Sequence, residues 1–113
     1  MAKQQSAQHV REAKRPSPRL YLITPVVEDA AAFIGVLRDA IEAADVAAVL
    51  LRLKPAGERD LINRSKILAP IVQQKDAALL LDGEAEIAAR AGADGAHLTG
   101  IEAFLAAVES LKP

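Results

Sequence analysis

From Arg19 onward, short apolar runs and amphipathic helical stretches take strict turns, and few folds accept that order. Leu20-Tyr21-Leu22-Ile23 is apolar and meets Thr24-Pro25, which predicts a buried strand near 20–24 and its stop. Asp29 stands as an N-cap before Phe33, Val36, Leu37, Ala40, Ile41 and Ala44, whose spacing draws one apolar stripe on a helix. Residues 46–53 are apolar nearly throughout, the habit of a parallel strand covered on both faces. Pro55-Ala56-Gly57 ends that run, and a helix over 58–75 follows, which Pro70 is expected to kink or split. A third strand over 77–81 closes at Asp82-Gly83, and a short helix over 84–91 ends on Gly92, placed for a left-handed cap. A fourth strand over 95–98 leads into Thr99-x-x-Glu102, which has the spacing of a capping box. The last helix then carries Ile101, Phe104, Leu105, Val108 and Leu111 on one face.

Four β-then-α units imply a parallel sheet with right-handed crossovers. An open doubly wound sheet and an eight-stranded barrel are both built this way, but a complete barrel takes ~250 residues and at least ~200. With 113 residues, the chain holds half of one. The reading is therefore an α/β fold of four parallel β-α units, half of a TIM-type barrel, over residues 19–113. Residues 1–18 are rich in Lys, Arg, Gln and Ser, close on Pro16-Ser17-Pro18, and read as a disordered basic arm. Through Arg19 the arm has five cations against Glu12, so its net charge of +4 leaves −5 on the rest of a chain whose total is −1. Such an arm could steer toward an anionic partner, but its bland composition reads as solvated chain.

The composition removes whole classes of function. There is no cysteine, hence no disulfide framework, thiolate metal site or cysteine nucleophile. Two histidines, His9 and His97, cannot build a histidine-rich cage, and His9 lies in the arm. Tyr21, Phe33 and Phe104 are the whole aromatic set, too few to stack single-stranded nucleic acid. No apolar run reaches the roughly 18 residues of a membrane span, and no apolar secretory signal stands out. The expectation is a cytoplasmic protein that binds small molecules, with neither nucleic acid nor membrane as partner.

The chemistry concentrates at strand ends. Alternation along the second strand places Ala47, Val49, Leu51 and Leu53 on one face and Leu50, Arg52 and Lys54 on the other. Two cations at the carboxyl end of a parallel strand lie where ligands bind in either architecture, and a buried Arg needs a carboxylate or an anionic ligand. Asp82 ends the third strand at the same rim and could hold a hard cation such as Mg²⁺, cap the next helix, or pair with Arg52. Glu102 could be a second metal carboxylate, although the capping box explains it equally well. His97 reaches the same rim from the fourth strand, where a hydrogen-bonded core histidine is the plain alternative. Neither a glycine-rich phosphate loop nor a Ser-His-Asp arrangement is present.

These residues, in this order, resemble thiamine-phosphate synthase and its close relatives. That family opens on a strand like Leu20-Tyr21-Leu22-Ile23-Thr24, and its Gln-x-Arg-Glu-Lys signature is matched by Leu50-Leu51-Arg52-Leu53-Lys54. Its Asn-Asp is matched by Leu81-Asp82, and its Gly-Ala-Asp-Gly-Val-His-Leu by Gly92-Ala93-Asp94-Gly95-Ala96-His97-Leu98. The resemblance implies the barrel fold and a transferase that joins hydroxymethylpyrimidine diphosphate to thiazole phosphate, releasing pyrophosphate. It further implies that Arg52 and Lys54 contact pyrophosphate as catalytic cations, Asp82 and Glu102 hold Mg²⁺, and His97 lines the substrate rim. The departures are Leu50 for Gln, Leu53 for Glu and Leu81 for Asn, and each lost polar contact to a charged substrate is worth about 1.5–3 kcal/mol. They define the alternative: a catalytically degenerate relative that binds a phosphate ligand or serves as a structural protein. Alone, the half barrel is expected to be inactive and, with open strand edges, to self-associate as a homo-oligomer.

Overall fold

The computed structural model describes residues 18–111. The expected arm therefore lies outside the described residues except for Pro18. The order is β1 (Leu20–Val27), α1 (Ala30–Ala43), β2 (Val46–Leu53), α2 (Glu58–Gln73), β3 (Ala78–Asp82), α3 (Ala85–Ala91), β4 (Gly95–His97) and α4 (Ile101–Ser110). The sheet has four strands in the order β1-β2-β3-β4, and every pairing is parallel. A doubly wound sheet reverses its strand order at a switch point, whereas this one never does. Right-handed crossovers that always step in one direction put every helix on the same face. That is the construction of a barrel wall, and the four units are half of one.

The core lies between the sheet and its helices. Val49, Leu51, Leu79 and Leu81 are almost fully buried there against Leu37, Ile41, Leu68 and Val72. Ser65 is also fully buried, and it donates its hydroxyl proton to the Leu61 carbonyl one turn earlier, so no polar atom is stranded. Leu50 is buried as well, but outside that cluster, in register between Ile23 of β1 and Leu80 of β3 on the opposite face. The alternation expected for β2 is thus present.

Local chemistry sets the boundaries, sometimes against expectation. Asp29 caps α1, its Oδ1 accepting the Ala32 N–H at 3.1 Å, and Gly92 ends α3 at φ 75°. β1 does not stop at Thr24-Pro25. It runs on to Val27 through a bulge, with Ile23 opposite Leu50 and Val26 opposite Arg52. Proline is tolerated there because β1 is an edge strand and the bulge needs no N–H from it. Nor does Pro70 end α2, which continues to Gln73; Pro70 and Lys66 are both exposed, so water can take the Lys66 carbonyl that the ring leaves without a donor. The expected capping box is absent. Gly100, at φ 91°, turns the chain and is itself the N-cap of α4, with no side-chain bond from Thr99. Each of the other strands and helices lies within two residues of its expected bounds.

Asp94 ties the amino end of β3 to the turn before β4. Its N–H donates to the Leu79 carbonyl at 2.8 Å, and its Oδ2 accepts the Leu79 N–H at 2.7 Å. The same oxygen accepts from Gln73 Nε2 at 3.3 Å. Both backbone groups of a fully buried strand residue therefore depend on one aspartate. Asp94→Ala leaves the Leu79 N–H without a partner, and we expect it to cost about 1–3 kcal/mol. A urea midpoint for Asp94→Ala that matches the wild type would contradict this role.

Candidate functional site

Parallel strands in sequential register carry their carboxyl ends to one rim. Leu51 pairs with Leu81, so Arg52 and Asp82 come abreast one step later, and Asp82 pairs with His97. All three project from the face away from the helices. The rim is thus lined, across β2, β3 and β4, by a guanidinium, a carboxylate and an imidazole. Gly83 fixes the spacing. At φ 77° it turns back so that its N–H donates to the His97 carbonyl at 2.7 Å, holding the ends of β3 and β4 together.

Arg52 Nε stands 3.7 Å from Asp82 Oδ2, with the two side chains 45% and 40% exposed. Arg52 is not the buried cation the strand pattern suggested; it is half exposed and loosely paired. Asp82 caps no helix, because α3 begins after Glu84 without a side-chain cap bond. Lys54 lies one residue beyond β2, where its N–H extends the ladder to the Val27 carbonyl at 2.9 Å. Its Nζ is 3.3 Å from Glu28 Oε1, and both groups are largely exposed. His97 is exposed, so the buried core histidine is ruled out. Glu102 occupies the first turn of α4, exposed and, among the described residues, without an ion-pair partner.

The departures from the Gln-x-Arg-Glu-Lys and Asn-Asp patterns separate in space. Leu81 is 1% exposed and Leu53 half-buried, and both pack with the helix-side core. Only Leu50 faces the inner side with Arg52. Sequence reasoning missed Thr24 and Asp94. Thr24 is 5% exposed, accepts the Arg52 N–H at 3.0 Å and donates to the Pro25 carbonyl at 2.8 Å. The signal available for it was a polar residue ending an apolar strand directly before proline.

The rim offers carboxylate oxygen, the donor type of a hard cation. Among the described residues no three His, Cys, Asp or Glu side chains gather, so a closed protein cage is absent. A rim carboxylate that is half open to solvent fits Mg²⁺, which takes one or two carboxylates and completes its shell with water and phosphate oxygens.

The model of the thiamine monophosphate synthase family matches residues 20–112. The chain belongs to that family. A thiamine-phosphate synthase of Rhodospirillum centenum is 45% identical over 80 residues, covering 71% of this chain and 39% of that protein. The one from Hyphomonas neptunium is 39% identical over 89 residues, covering 74% and 40%. Among solved structures, thiamine phosphate pyrophosphorylase from Pyrococcus furiosus superposes with a TM-score of 0.63 at 26% identity, over 82% of this chain and 45% of that one. The chain thus spans about two fifths of the length of the relatives it matches, in keeping with its four β-α units. Among the described residues no helix is long and apolar enough to cross a membrane.

A half-exposed pair at this separation contributes at most about 1 kcal/mol to stability. Asp82→Ala should therefore lower the unfolding free energy from urea denaturation by no more than that, less than Asp94→Ala. A loss of several kcal/mol in Asp82→Ala would assign the carboxylate to the fold instead of the rim.

Proposed function

We propose that this chain supplies the diphosphate-handling half of a thiamine-phosphate synthase. In the complete protein it would join hydroxymethylpyrimidine diphosphate to thiazole phosphate, with release of pyrophosphate. The observation that carries the reading is the alignment of Arg52, Asp82 and His97 on three adjacent strand ends, with Lys54 beside them. Arg52 would bind the diphosphate and stabilise the negative charge that grows on it as it departs, and Lys54 would neutralise its outer oxygens. Loose pairing supports those roles, since neither cation must break a buried ion pair to engage an anion. His97 would line the substrate side of the mouth. Asp82, with Glu102 as the second carboxylate, would hold Mg²⁺, which supplies further charge neutralisation to the phosphates. Freedom of Glu102 from a capping box favours this assignment. The reading carries with it a cytoplasmic protein whose partners are soluble phosphorylated molecules.

One observation favours a second reading, a degenerate relative that binds phosphate without turnover. Leu50 puts a buried apolar side chain one step below Arg52 on the inner face, where the family signature has glutamine. A protein of full family length carrying this sequence, assayed with both substrates and Mg²⁺, separates the two: coupling supports the synthase, and phosphate binding without coupling supports the relative.

For the 113-residue chain itself, calorimetry should detect binding of inorganic pyrophosphate in the presence of Mg²⁺. Arg52→Ala and Lys54→Ala should each weaken it by about 1.5–3 kcal/mol, tenfold or more. No binding by the wild type at millimolar pyrophosphate would defeat the diphosphate reading.

Self-association is proposed on separate grounds. Tyr21, Ile23 and Val26 on β1 are about half exposed, as are Ile101, Phe104, Leu105 and Val108 on α4. Apolar surface of this kind beside open strand edges favours contact between copies. Light scattering should show a mass above that of the monomer as concentration rises; a monomer throughout would refute it.

A further inference from the structure

We infer that Thr24 is the positioning residue for Arg52, an inference that rests on the diphosphate reading of the rim. The register of β1 shifts just before the residue opposite Arg52: Thr24 and Pro25 separate Ile23 from Val26, whereas Leu51 alone separates their partners Leu50 and Arg52. At such a bulge the ladder is locally disrupted. Here the Arg52 N–H is taken by the Thr24 hydroxyl at 3.0 Å. That hydroxyl passes its own proton to the Pro25 carbonyl at 2.8 Å. The side chain is 5% exposed, so no water can readily replace it, and it uses both its donor and its acceptor capacity. A single hydroxyl therefore spans the irregularity and pins the backbone from which the guanidinium extends.

The consequence concerns placement of charge. Among the described residues Arg52 has only a 3.7 Å contact with Asp82 to orient its side chain, so its aim depends on its backbone. The bond from the Lys54 N–H to the Val27 carbonyl lies further along β1 and holds Lys54 instead. Valine at position 24 keeps the shape of threonine and can neither accept the Arg52 proton nor donate to the Pro25 carbonyl. Serine keeps both functions.

The test compares Thr24→Val and Thr24→Ser with the wild-type 113-residue chain through two readouts. The first is the Arg52 amide exchange rate together with its Nε–H resonance; the second is calorimetric affinity for inorganic pyrophosphate with Mg²⁺. In Thr24→Val the amide should lose protection, and the Nε–H signal should move toward that of a free side chain. Its affinity should fall about tenfold, within the loss that an ångström of misplacement produces. Thr24→Ser should restore both. In an Arg52→Ala background, Thr24→Val should cost no further affinity, because the two act as a unit. A folded Thr24→Val with unchanged Nε–H signal and affinity would overturn the inference, as would an equal loss in the Arg52→Ala background. Should Thr24→Val not fold, Thr24→Ala, smaller and also without the hydroxyl, takes its place in both readouts. If the wild type binds no pyrophosphate, the diphosphate reading fails by itself, and the Nε–H signal alone then decides whether Thr24 aims the guanidinium.

Discussion

Strands that are all parallel and are added one after another in the same direction can be connected only by crossovers on one side. That constraint organises this molecule. It gathers the helices into a single layer, commits Val49, Leu51, Leu79 and Leu81 to that layer, and leaves the alternate residues of each strand facing away from it. It also brings the carboxyl ends of β2, β3 and β4 level, so that Arg52, Asp82 and His97 are neighbours although they are distant in sequence. The chemical rim is a geometric product of the same order that builds the core.

The two faces are stabilised differently. The helix side is closed within the described residues and leaves no buried side-chain polar atom without a partner. The inner side rests on Leu50 and Leu80 at its centre and is half open along β1. Gly95 belongs to that side: a Cβ there would meet Leu80 Cδ2 at 3.0 Å, so glycine lets β4 lie against β3 without moving the Leu80 side chain. The asymmetry also bears on the family signature. Of its three leucine replacements, those at positions 53 and 81 fall among helix-side contacts and add to the core, whereas Leu50 alone alters the surface shared with Arg52.

Most of the fold was legible because hydrophobic period and burial agree. The continuous apolarity of β2 and the Asp29 and Gly92 caps each state one local demand that the tertiary structure does not oppose, whereas of the stripe on α1 Leu37 and Ile41 are buried and Phe33 half-buried, while Val36, Ala40 and Ala44 stay exposed. The face shared by Arg52 and Lys54 followed from alternation alone. What was not legible depends on partners far along the chain. Thr24-Pro25 carries the mark of a strand end, and only the Arg52 N–H, 28 positions away, turns it into a bulge. Asp94 looks like a turn residue, and its value lies in the two backbone groups of Leu79. The capping box at Thr99 failed because the intervening glycine adopts a backbone geometry closed to other residues. Half exposure of Arg52 was likewise hidden, since strand periodicity tells which face a side chain takes and not how well that face is covered.

Pairing each strand only with its sequence neighbour has a consequence for how such a chain is made. Every sheet contact closes a loop of a single β-α unit, so the entropic cost of each closure is small and nearly the same. Contacts this local favour rapid acquisition of structure. During synthesis the layer of helices on β1, β2 and β3 can therefore set while later residues are still within the ribosome.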